Sequence, residues 1–137
     1  MSRSRWGFLV VAAGAVACRS PADCGTPPAK ILGNWSYTAS QTQPTASVNA
    51  TLALVAGCPS FQGTLDGTQQ DGLGNVTPVE VVVTGQMLDT ASVVFDAFFG
   101  AAGRRHIGTI AHDSIRGTWI DQSSLTSGSF VAAKELP

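Results

Sequence analysis

The sequence predicts an all-β domain closed into a small antiparallel up-and-down barrel of about eight strands. Three observations predict it. Apolar and polar residues alternate with period two in one run after another, Gly, Asp, Asn and Pro punctuate the runs, and no stretch sustains a helical period. Half-buried strands in such number must stack as two sheets or close on themselves to hide their edges, and the regular order of hairpins favours closure.

The runs are read in order. Trp35, Tyr37 and Ala39 alternate with Ser36, Thr38 and Ser40, then Val48, Ala50, Leu52 and Leu54 alternate with Asn49, Thr51 and Ala53. Phe61, Gly63 and Leu65 follow Cys58-Pro59. A loop is expected over 69–75, where Asp71-Gly72 and Gly74-Asn75 signal a turn. Val79, Val81 and Val83 form the next inward face, and Val93, Phe95, Ala97 and Phe99 the one after. Ile107, Thr109 and Ala111 are expected to face inward before a turn at His112-Asp113. Ile115, Gly117 and Trp119 return, and Phe130 and Ala132 mark the last strand. Gly63, Gly67, Gly108, Gly117 and Gly128 suit the sharp bends a small barrel needs, or serve as turn residues.

Ahead of this pattern lies an export signal, expected over residues 1–17. Arg3 and Arg5 precede an apolar run from Trp6 to Ala17, too short to span a bilayer, which needs about 20 apolar residues. Ala15-Val16-Ala17-Cys18 resembles the lipobox of bacterial lipoproteins, with Ala15 where leucine is usual. The resemblance implies lipid on Cys18 and a membrane partner. Ala15-Val16-Ala17 also reads as an ordinary small-residue cleavage site, so both readings stand. Cysteine parity bears on the choice, because three cysteines in an exported chain leave one to explain. With Cys18 lipidated, Cys24 and Cys58 are left to form a disulfide in an oxidising compartment. Closing a loop of about 35 residues would stabilise the fold by about 3 to 4 kcal/mol. Residues 18–30, with Pro21, Pro27 and Pro28, read as a semi-stiff tether, and 31–137 as the barrel domain.

Charge excludes one class of partner. Without Arg3 and Arg5 the chain carries six basic against nine acidic residues, and its one basic cluster, Arg104-Arg105-His106, is far short of a phosphate-binding stripe. Nucleic acid is therefore not expected, and the cluster reads as a solvated hairpin end.

Within the domain, Ile31-Leu32-Gly33-Asn34-Trp35-Ser36-Tyr37 resembles the first strand of the calycins, the lipocalins and avidins, whose mark is Gly-x-Trp at the start of an eight-stranded barrel. The resemblance implies that Trp35 closes the barrel floor and that Lys134, from the last strand, packs across it. Such a cation on an indole face contributes on the order of 1 kcal/mol. Gly117-Thr118-Trp119-Ile120, Ser123-Ser124 and Phe130 are similar to the last two strands of avidins. The polar residues of a biotin site have no counterpart in the middle of the chain, so biotin is not carried over.

Catalytic and metal sites find little support. His106 and His112 would stand at opposite ends of one strand, roughly 20 Å apart, and could not share an ion. Neither metal nor cofactor is expected. No nucleophile elbow of the Gly-x-Ser-x-Gly kind occurs, and no spacing singles out two of Asp89, Asp96, Asp113 and Asp121 as paired carboxylates, so the chain is not expected to be an enzyme. Asp96 is expected to point outward, since Val93, Phe95 and Ala97 claim the other face. Asn34, Asn49 and Asn75 match glycosylation acceptors, which in a bacterial lipoprotein would be chance.

Two functional classes remain. In one, Trp35, Tyr37, Leu54, Trp119 and Phe130 line a barrel mouth that takes an apolar or planar small ligand, or else they simply fill the interior of an envelope-structural protein. In the other, the barrel is a protein-interaction module, similar to small periplasmic barrels that inhibit secreted metalloproteases, with the tether and loop 69–75 as contact elements. The expected address is the bacterial cell envelope. Arg19 after Cys18, by resemblance to enterobacterial lipoproteins, favours the outer membrane.

Overall fold

The structure, a computed structural model, describes residues 28–100 and 103–136. The signal segment, Cys18, Cys24 and the tether up to residue 27 lie outside the described residues.

Eight antiparallel strands follow one another around a closed barrel: β1 (Gly33–Thr42), β2 (Thr45–Ala56), β3 (Phe61–Asp71), β4 (Val76–Met87), β5 (Ser92–Ala97), β6 (Arg104–Ala111), β7 (Ser114–Asp121) and β8 (Ser127–Lys134). Strand β8 closes the ring on β1, with Lys134 opposite Trp35 and Ser129 opposite Ser40. Among the described residues closure leaves no edge strand to pair with another chain, which answers the edge problem that the sequence posed. Every hairpin is local, so all strands alternate between two ends. The chain enters at a lower end through a 3-10 turn (Ala29–Ile31), and the β2–β3, β4–β5 and β6–β7 connections and the C-terminal residues share that end. The upper end carries the β1–β2, β3–β4, β5–β6 and β7–β8 connections.

The interior is the hydrophobic core. Trp35, Leu52, Phe61, Leu65, Val83, Val93, Ile115 and Ala132 are fully buried, and Ile31 plugs the lower end. Packing at such a density leaves small residues wherever two strands cross closely. Gly117 faces Gly108 across the β6–β7 ladder, and a methyl group on Gly117 would collide with the Ile107 carbonyl. Only glycine admits that approach.

Two expectations are corrected by the ladder. The region 69–75 is not one loop: Gln69 and Gln70 continue β3 and pair with Thr77 and Val76, leaving a turn at 72–75 tied by the Asp71 carboxylate to the Leu73 and Asn75 N–H groups. Polar residues suit the solvent-exposed end of a barrel strand as well as they suit a loop. The second correction is the face of β6. His106, Gly108 and Ile110 point inward, while Ile107 is 54% exposed. A two-residue turn fixes Ala111 opposite Ser114, so Ile110 must share the face of Ile115, and His106 that of Trp119.

Candidate functional site

Strand alternation puts every residue expected to line a ligand cavity inside the barrel. Trp35, Tyr37, Leu54, Trp119 and Phe130 are at most 3% exposed. They do not border an open cup, because side chains occupy the space between them. The Trp35 indole N–H donates to the Ile31 carbonyl at 3.0 Å, which ties the entering turn to the floor. Lys134 Nζ stands 5.0 Å from the Trp35 ring centroid and donates to the Lys30 and Leu32 carbonyls at 2.9 and 2.6 Å. These two hydrogen bonds from an ammonium outweigh the cation–π contact, since charged hydrogen bonds contribute about 1.5 to 3 kcal/mol each and the ring about 1.

The centre of the barrel holds the group that sequence reading placed in solvent. His106 is fully buried between Phe95, stacked at 4.3 Å and 11°, and Phe130, edge-on at 4.9 Å. Its Nδ1 lies 3.0 Å from the Arg104 carbonyl and its Nε2 2.8 Å from the Tyr37 hydroxyl. A carbonyl only accepts, so Nδ1 carries the proton and Nε2 accepts from Tyr37. Burial pushes the imidazole down to about 4, although the hydrogen bond to the Arg104 carbonyl works the other way, and burial pushes the Tyr37 phenol up. Both polar tips are satisfied by each other, so the pair is a neutral part of the core.

Arg104 and Arg105 part company with His106 by the same alternation. Arg105 turns outward and grips Asp96 with two contacts of 3.0 Å, on the outer wall where the sequence placed Asp96. Arg104 leans over the upper mouth. Its guanidinium sits 3.9 Å from the Phe99 ring centroid and 4.8 Å from that of Trp119, and its Nε contacts Asp121 at 3.3 Å. Partial burial pushes the Asp121 carboxyl up, but hydrogen bonds from Ser123, Ser124 and Arg104 prevail and hold it down to about 2. Beside this group lies a pit of about 40 Å³, bordered by Ser40, Gln41, Ser47, Gln69, Arg104 and Trp119. It is far below the 300 Å³ or more that a drug-sized ligand occupies. The buried Trp119 Nε1 has no hydrogen-bond partner among the described residues. Leaving such a donor unsatisfied costs about 1 to 3 kcal/mol.

Other expected positions are dispersed. His112 lies in the exposed β6–β7 turn at the lower end, away from His106, and no group of three or more metal-ligating side chains gathers among the described residues. Cys58 stands in the β2–β3 connection, also at the lower end. Of the two contact elements of the interaction reading, residues 28–30 at the end of the tether lie at the lower end and the 72–75 turn at the upper, and the rest of the tether lies outside the described residues. The mouth constellation of Arg104, Trp119 and Asp121 was missed in the sequence, although the turn at His112-Asp113 contained the signal, because its register puts Arg104 opposite Asp121. No family model and no curated protein sequence matches the chain.

Proposed function

We propose that the chain is an exported lipoprotein of the bacterial cell envelope, anchored through lipid on Cys18, whose filled calycin-like barrel acts as a structural or protein-contacting module. One observation carries this reading. The aromatic residues that would welcome an enclosed ligand are packed against one another, and the Tyr37 hydroxyl, the polar tip best placed to greet one, is spent on His106. Contacts must then be made by the outer wall and the upper rim. Topology supports the anchor: Pro28, the Cys58 turn and the C-terminal residues share the lower end, within reach of a tether whose Cys24 would pair with Cys58. Lipid on Cys18 would turn that end toward the membrane and the upper mouth away from it.

Two measurements test the reading. A Cys18→Ala chain should move from the membrane to the soluble fraction of the producing cell, and unchanged membrane retention would remove the anchor. Titration of the protein with a hydrophobic dye should give no saturable signal. Stoichiometric, saturable binding would return the interior to the role of a ligand cup.

A further inference from the structure

The geometry points to a binding site for a single carboxylate group at the upper mouth, held by Arg104 and Trp119. It rests on the reading that the upper rim is the working end. Three independent features converge there. Arg104 is fixed rather than solvated, since Phe99 and Trp119 flank its guanidinium at 3.9 and 4.8 Å, and its side chain is only 13% exposed. Asp121 occupies its Nε through one long contact of 3.3 Å, so the remaining N–H groups of the planar fork stay in place for a two-oxygen acceptor. Trp119, whose indole N–H is buried without an acceptor, borders the same pit.

Size and polarity then narrow the occupant. A pit of about 40 Å³ admits a group of a few heavy atoms and excludes a ring system. Its rim adds the polar side chains of Ser40, Gln41, Ser47 and Gln69. A carboxylate there answers the guanidinium N–H groups that Asp121 leaves open and lies beside Trp119, whereas an apolar group would leave those N–H groups without an acceptor. Asp121 is the built-in competitor. Its carboxyl stays ionised to about pH 2, so it partly neutralises Arg104 and keeps affinity for a second carboxylate modest. The carboxylate has two sources of the same chemistry: a small free acid, or the end of a peptide chain.

The intact, 15N-labelled chain offers an internal control. Its indole N–H signals come from Trp35 and Trp119, with Trp6 adding a third where residues 1–17 are retained; single Trp→Phe variants assign them, and that of Trp35 is already committed to Ile31. Titration with acetate should move the Trp119 signal along a saturating curve and leave Trp35 still, while acetamide and chloride at equal concentration should not. Arg104→Gln should abolish the saturation. Asp121→Asn should tighten acetate severalfold by removing the competing charge, and this variant keeps its side-chain acceptor for Ser123 and Ser124. A dipeptide with a free C-terminus that binds more tightly than acetate, and than its amidated form, identifies a chain end as the source. A Trp119 signal that stays put, or that drifts equally with acetate and chloride, overturns the site. That result would leave the membrane fractionation and dye experiments untouched, so the two readings fail separately.

Discussion

Tyr37 donates its hydroxyl proton to His106 Nε2 at 2.8 Å in the middle of the barrel, joining β1 to β6 across the interior rather than along a ladder. The contact makes the core sensitive to proton activity. His106 is neutral when folded, with its imidazole pushed down to about 4, whereas the unfolded chain titrates near the ordinary value of 6.5. Above pH 6.5 both states are neutral and the full stability is present. As pH falls from 6.5 toward 4 the unfolded chain takes up a proton that the barrel refuses, so about 3 kcal/mol is lost in that window. Urea unfolding between pH 7.5 and 4 measures it. A flat profile would contradict the buried neutral imidazole, and the Asp121 window, between 3.8 and about 2, lies below it.

Tyr37→Phe should destabilise the barrel by about 1 to 3 kcal/mol, because the buried Nε2 loses its one donor. His106→Phe with Tyr37→Phe should cost less than the sum of the single changes, since neither polar tip is then stranded. Denaturant midpoints of the three variants complete the cycle, and strict additivity would separate the two residues.

Lys134→Met keeps the stem over Trp35 and removes the ammonium. The Lys30 and Leu32 carbonyls then lose a shared donor, so a loss of about 1 to 3 kcal/mol is expected, concentrated at the lower end. Hydrogen exchange should quicken at Trp35 Nε1, which leans on the same turn, and an unaltered rate there would show that the floor does not depend on Lys134.

Asp96→Asn offers the contrast. Its partner Arg105 is half exposed, so the ion pair on the outer wall should contribute no more than about 1 kcal/mol and fade with added salt. Thermal unfolding at low and high ionic strength reads this, and a large salt-independent loss would mean that the pair is shielded.

The barrel was legible because alternation, turn residues and closure agree along most of the chain. Trp35, Tyr37, Leu52, Leu54, Phe95 and Phe130 all face the side that period two assigns them. Strand β6 misled because both of its faces are mixed: Ile107, Thr109 and Ala111 look more apolar than His106, Gly108 and Ile110. Hydrophobicity alone chose the wrong set. Hairpin geometry would have chosen the right one, since Ile115, Gly117 and Trp119 were assigned inward and a two-residue turn makes their opposite numbers share that face. The Tyr37–His106 contact was not legible on any local basis. It spans strands far apart in sequence, and its donor and acceptor meet only when the ring is closed.

Because β8 returns to lie beside β1, Glu135 donates its N–H to the Asn34 carbonyl and the two ends of the described chain emerge together. A short bridge from Glu135 to Lys30 would allow the gene to be recut so that translation starts at the rim, in the turn at 72–75, without changing the order of strands around the ring. Such a circular permutant would present its new termini at the opposite pole, and attaching a bulky label there would occlude the rim while sparing the base.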